Sequence, residues 1–173
     1  MVEYVKPISE FRELAAAGPA VEPRAVLLVE FLKGAGPARE FRTSSLGMPG
    51  VIPPLATVTA DPDTRVVLLE KSERNPYDAF LFLGRASTCD VIIRDASISK
   101  SHAVIEPSPD AWHVRDNRSR NGTWLNGQRL QEGERGKLRS GDVLVLGSYP
   151  IYFMFSADLA RLLGRPTGRP SRH

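Results

Sequence analysis

Residues 84–127 read GRASTCDVIIRDASISKSHAVIEPSPDAWHVRDNRSRNGTWLNG. Short apolar runs alternate here with three polar segments. The first opens at Gly84-Arg85, the second runs from Asp95 to Ser101, and the third from Asn117 to Gly122. Each polar segment adjoins a run that alternates like a strand. That pattern predicts loops gathered at one end of a β-sandwich, where groups distant in sequence can converge.

The side chains in those loops suit an anion. A phosphorylated side chain carries a charge of about −1.5 to −2 and three acceptor oxygens, so it needs several donors. Arg85 offers a planar fork matched to phosphate oxygens. Ser99 offers a hydroxyl, Lys100 a compact cation, and Arg120 a second guanidinium. Asn121 has a donor and an acceptor with which to hold an extended peptide backbone.

Taken together, the motifs resemble the forkhead-associated (FHA) family. The resemblance rests on Gly84-Arg85, Cys89-Asp90-Val91, Ser99-Lys100-Ser101-His102-Ala103 and Ser119-Arg120-Asn121-Gly122-Thr123-Trp124-Leu125-Asn126-Gly127. A later Ser140-Gly141-Asp142-Val143 followed by Leu146-Gly147 also fits. It spans about Arg65 to Phe155. It implies an all-β sandwich of eleven strands that binds phosphothreonine peptides. By the same resemblance, Arg85, Ser99 and Lys100 contact phosphate, and Arg120 and Asn121 contact phosphate or peptide backbone. His102 is expected to be buried and to brace the serine loop. Gly84, Gly122 and Thr123 are expected to shape the site. Many members have an apolar residue where this chain has Asn117.

Bulk properties narrow the classes. The chain has 173 residues, 42% hydrophobic and 25% charged, enough for one domain with extensions. Its net charge of +3 does not by itself argue for nucleic acid. A single cysteine, Cys89, allows no internal disulfide and suits a reducing, cytoplasmic setting. No run of about 18 apolar residues is present to span a membrane. The opening MVEYVKPISE has no apolar core and does not read as a secretory signal.

Residues 1–46 read as a mainly helical extension. Ser9 precedes EFRELAAA and Gly18 follows it, the signature of a capped helix. Pro23 to Lys33 reads as a second helix, with proline at its first position and Gly34 as its stop, although a pattern apolar nearly all round leaves a buried strand open. Residues 47–63, rich in proline and glycine, read as an extended linker. The sandwich is expected over 64–156, with Asn126-Gly127 marking a hairpin. A short helix and a basic tail, expected to be disordered, follow over 157–173.

An enzyme would need Ser99, His102 and Asp95 or Asp116 as a triad, without a nucleophile elbow to present the serine. His102, His113 and His173 lack metal-ligand spacing, and no cofactor motif occurs. The tail arginines have no nucleic-acid-binding module around them. The sequence therefore reads as an adaptor, not an enzyme. Its expected partner is a phosphothreonine protein, either a serine/threonine kinase or a kinase substrate. The competing reading is a scaffold that binds protein without phosphate. Thr43, Thr57, Thr59 and Thr64, in or near the linker, are candidate self-ligands.

Overall fold

The structure, a computed structural model, describes residues 5–16, 25–29 and 52–164. Two sheets face each other. The first has seven strands in the order β1 (Val5–Pro7), β3 (Arg65–Leu68), β2 (Ala25–Val29), β12 (Tyr149–Phe155), β11 (Asp142–Leu146), β8 (Thr123–Leu125) and β9 (Gln128–Arg129). The second has five, in the order β10 (Gly136–Leu138), β7 (Trp112–Asp116), β6 (Ala103–Glu106), β4 (Leu81–Gly84) and β5 (Val91–Ile92). Neighbours run antiparallel except β4 and β5. The described residues thus hold twelve strands where the family resemblance implied about eleven.

Period-two alternation builds the core. Leu27, Leu83, Ile105, Val114, Leu144, Ile151 and Phe153 point between the sheets and are fully buried. Trp112 joins them, its ring 6.0 Å from that of Phe153. The Asn126-Gly127 hairpin has φ of 49° and 87°, the paired positive values of a tight two-residue turn.

The other faces of β2 and β12 make a second apolar cluster. Val26, Leu28, Tyr152 and Met154 pack there with Ile8, Phe11, Val58, Val66 and Leu159. Three helices bring the covering residues: α1 (Ile8–Ala16), α2 (Leu55–Ala60) and α3 (Ser156–Gly164). β2 is therefore covered on both faces.

Of the expected mainly helical N-terminal extension, the described residues hold one helix, α1, where the Ser9–Ala17 run predicts it, and two strands, β1 and β2. Ala25–Val29, inside the Pro23–Lys33 run, is a strand, with Leu27 opposite both Phe153 and Val67. An amphipathic helix leaves one polar face, whereas a central strand with both sides covered does not. AVLLV, apolar at every position, suits the strand. The proline-rich segment is likewise not extended throughout. Leu55–Ala60 is helical with Pro54 just ahead of it, where a missing N–H breaks no helical bond. Ile52 and Leu55 lie against the second cluster, and Tyr152 Oη donates to the Pro53 carbonyl at 2.6 Å. The expected helix stop at Gly18, the C-terminal part of the Pro23–Lys33 run, Thr43 and the basic tail from 165 to 173 lie outside the described residues.

Candidate functional site

The three polar segments become the loops between β4 and β5, β5 and β6, and β7 and β8. Backbone bonds lock the first to the second. Arg85 N–H donates to the Ser99 carbonyl at 3.0 Å, and Ala86 N–H to the Lys100 carbonyl at 2.9 Å. Gly84 is required by this approach, because a Cβ there would sit 2.3 Å from the Lys100 oxygen. The buried Cys89 Sγ donates to the same oxygen at 3.2 Å. Burial pushes its thiol up to about 11, so it keeps the proton it donates.

The second loop is folded on itself by Asp95, whose Oδ1 accepts the Ser97 N–H at 2.8 Å and the Ser97 hydroxyl at 2.6 Å. Ile98 is fully buried and anchors the loop. The third loop is organised by Asp116. Its carboxylate accepts the Ser119 N–H, the Ser119 hydroxyl and the Thr123 hydroxyl at 2.9, 2.6 and 2.7 Å. Burial alone would raise its pKa, but those bonds and the nearby His102 outweigh it and hold the carboxyl below its usual value.

His102 joins the second loop to the third. It is completely buried. Its Nδ1 accepts the Ser99 N–H at 3.0 Å. A backbone N–H can only donate, so the ring proton sits on Nε2, which donates to the Gly122 carbonyl at 2.9 Å. Burial lowers the pKa below the ordinary 6.5, which keeps the ring neutral and this tautomer in place. Further ties cross the same gap. Arg120 N–H donates to Ser99 Oγ at 2.9 Å, Asn121 Nδ2 to the Ser97 carbonyl at 2.7 Å, and Asn117 Nδ2 to Ser101 Oγ at 2.8 Å.

On this braced frame Arg85, Lys100 and Arg120 are exposed, and their side chains make no hydrogen bond or ion pair among the described residues. Ser99 Oγ has accepted one bond and still has its proton to give. Asn121 is exposed, with one amide N–H committed to Ser97 and the Oδ1 and other N–H open. All five expected contact residues therefore sit on the interlocked loops. Of the expected supporting residues, Gly84, His102, Gly122 and Thr123 are all buried.

Sequence reasoning gave no role in the site to Ser97, Asp116 or Ser119. For Asp116 and Ser119, short side chains three residues from their backbone partners were the available signal, whereas the ties of Ser97 to Asn121 and Ser148 are distant in sequence. Asn117, noted only as a departure from the family pattern, uses its amide to hold Ser101. Two of the candidate self-ligands are corrected. Thr59 and Thr64 are buried and donate to the carbonyls of Leu55 and Val58, so neither hydroxyl faces a partner. Thr57 is exposed on α2.

The hydrolase arrangement does not form. His102 takes the Ser99 backbone N–H, not its hydroxyl, and its other nitrogen meets a carbonyl. Among the described residues no three His, Cys, Asp or Glu side chains gather to hold a metal. No described helix is long and apolar enough to cross a membrane.

Residues 81–147 match the family model of the FHA domain. An ABC transporter ATP-binding/permease protein of Mycobacterium tuberculosis is 38% identical over 71 residues, which is 41% of this chain and 8% of the transporter. The E3 ubiquitin-protein ligase RNF8 of Mus musculus is 43% identical over 51 residues, 29% of this chain and 10% of the ligase. The chain thus spans only a small part of these relatives. Among solved structures, the FHA domain of a Chlamydia trachomatis protein is 20% identical with a TM-score of 0.49, over 76% of this chain and 96% of that one.

Proposed function

We propose, from the match of residues 81–147 to the FHA domain model, that the chain is a phosphothreonine-dependent protein-binding adaptor acting in serine/threonine kinase signalling. One observation carries the reading. Three unpaired cations and a free hydroxyl proton stand on loops already tied together by hydrogen bonds, with a neutral histidine between them. Donors held in place before a ligand arrives lose little freedom on binding, so their attraction for a phosphate is not spent on ordering the site. Arg85 supplies the fork, Ser99 Oγ–H and Lys100 Nζ the further donors, and Arg120 either a phosphate contact or a partner for a nearby acid. Asn121 holds the peptide backbone with its open Oδ1 and N–H.

The ligand is a phosphorylated kinase or a kinase substrate, and a cytoplasmic location goes with it. The test is a degenerate peptide pool centred on phosphothreonine, screened beside the same pool with threonine. Selection of peptides from the phosphorylated pool alone is expected. Equal retention of both would replace this reading with a phosphate-independent scaffold.

A further inference from the structure

The second and third loops of the site both rest on a turn that carries no charge. Gly147-Ser148 joins β11 to β12. Gly147 N–H donates at 2.9 Å to the Gly122 carbonyl, the same oxygen that His102 Nε2 holds. Ser148 N–H donates to Ser97 Oγ at 3.2 Å. At Gly147, φ is +63°, and a Cβ would lie 2.5 Å from the Ser97 carbonyl oxygen. That oxygen is the acceptor for Asn121 Nδ2. One turn therefore touches the anchor of each loop.

We infer that Gly147 is a positioning residue of the phosphopeptide site. It sets the spacing between the loop bearing Ser99 and the loop bearing Arg120 and Asn121. The inference rests on the phosphothreonine reading above. A methyl group at Gly147 would meet backbone, which has no flexible end to swing away, so the Ser97 carbonyl must retreat. Asn121 then stretches or loses its tie, and Ser99, two residues on, moves relative to the Arg120 amide. Hydrogen bonds weaken steeply outside their narrow range of distance and angle.

Gly133 provides a matched control. Its φ is +79°, yet a Cβ there would meet nothing within 4 Å. Alanine at either site forces a side chain into left-handed backbone, but only at Gly147 does it also push on a loop.

The experiment titrates the tightest phosphothreonine peptide from the pool against wild type, Gly147→Ala and Gly133→Ala, with melts and amide NMR spectra of each. Gly147→Ala is expected to bind about tenfold more weakly, the equivalent of one hydrogen bond to a charged group. Its Ser99 and Arg120 amide signals should shift. Gly133→Ala is expected to melt lower but keep wild-type affinity and unmoved loop signals. The inference is overturned if Gly147→Ala binds like wild type, or if Gly133→Ala loses as much affinity. Should Gly147→Ala not fold, Ser97→Ala decides when read against Asp95→Asn: both weaken the Asp95–Ser97 bond, but only Ser97→Ala also removes the Ser148 acceptor and should bind more weakly than Asp95→Asn. Binding weaker than that of Asp95→Asn supports the spacing role, and equal binding overturns it. Wild-type protein that binds no phosphopeptide refutes the functional reading instead, and the Ser99 and Arg120 signals of the variants still decide the spacing role.

Discussion

The Arg120 amide donates to the Ser99 hydroxyl oxygen at 2.9 Å, across 21 residues of sequence. The bond occupies one lone pair of Ser99 Oγ and leaves its proton free to be donated. A hydroxyl in that state is a donor, which is what a phosphate oxygen requires. Ser99→Ala should therefore remove both a ligand donor and a loop tie. Its effect would exceed that of either role alone, so the simpler tests lie elsewhere.

Arg85→Ala is expected to abolish most phosphopeptide affinity and leave the melt nearly unchanged. The side chain is exposed and its guanidinium has no protein partner to orphan. Each hydrogen bond to a charged group is worth about 1.5–3 kcal/mol, or roughly 10- to 150-fold in affinity. Titration calorimetry beside a thermal scan checks both halves. Near-wild-type affinity would remove Arg85 from the site.

His102→Ala should show the reverse emphasis, damaging the fold more than Arg85→Ala does. The Gly122 carbonyl keeps the Gly147 N–H, so only the Ser99 N–H is left without its partner. An unsatisfied buried group costs about 1–3 kcal/mol, and the missing ring adds a cavity. For a chain of this size each kcal/mol is roughly 2–4 °C of Tm. A His102→Ala melt above that of Arg85→Ala would reverse the two assignments.

Acid should act on protein and ligand separately. His102 is held neutral below its ordinary 6.5, so the unfolded chain binds the proton first as pH falls. Its contribution to stability is whole above 6.5 and is lost as pH drops through the lower folded value. Asp116 faces it and acts in the same direction, but only as pH falls below its ordinary 3.8. Melts of the free protein from about pH 7 to 5 should decline, and the decline should flatten in His102→Ala. Binding should weaken over the same range as the ligand phosphate, with its pKa near 6, loses charge. Affinity flat across that range would show that the dianion is not the species recognised.

Deleting residues 1–46 is expected to abolish cooperative unfolding. The deletion takes β2 from between β3 and β12 and removes Ile8 and Phe11 from the second cluster. Each fully buried Leu or Val of β2 contributes about 1.5–3 kcal/mol, against a typical total of about 5–15 kcal/mol. A shortened protein with a sharp melt near the full-length value would show that the strand is dispensable.

Phosphothreonine should bind more tightly than phosphoserine in an otherwise identical peptide. Burying one methyl gives about 0.8 kcal/mol, or roughly fourfold. A much larger ratio would mean that the methyl also fixes the phosphate's angle toward Arg85 and Ser99. Equal affinities would mean that no methyl niche exists between the loops.

Local chemistry made part of this molecule readable in advance. Asn126-Gly127 has the dihedrals that its residue types demand, and Trp112 and Val114 face inward as period two requires. The contact residues were legible because their side chains are the chemistry. The frame beneath them was not, because it is made of backbone. Nothing in the letters Gly147 or Ser97 states that they meet 50 residues apart. The AVLLV run was ambiguous for a related reason. A helix buried all round and a strand buried on both faces have the same apolar composition, and only the partners on either side decide between them.

The place of β2 also sets an order of events during synthesis. Ala25–Val29 is made well before one of its two neighbours, Tyr149–Phe155. At about 5–20 residues per second the ribosome needs on the order of ten seconds to deliver that neighbour. Until then one edge of an uncharged, wholly apolar strand stays open, which is the hazard that sheet edges carry. The nascent chain is thus most prone to aggregate before the seven-stranded sheet can close, and a chaperone that shields residues 25–29 would act in that interval.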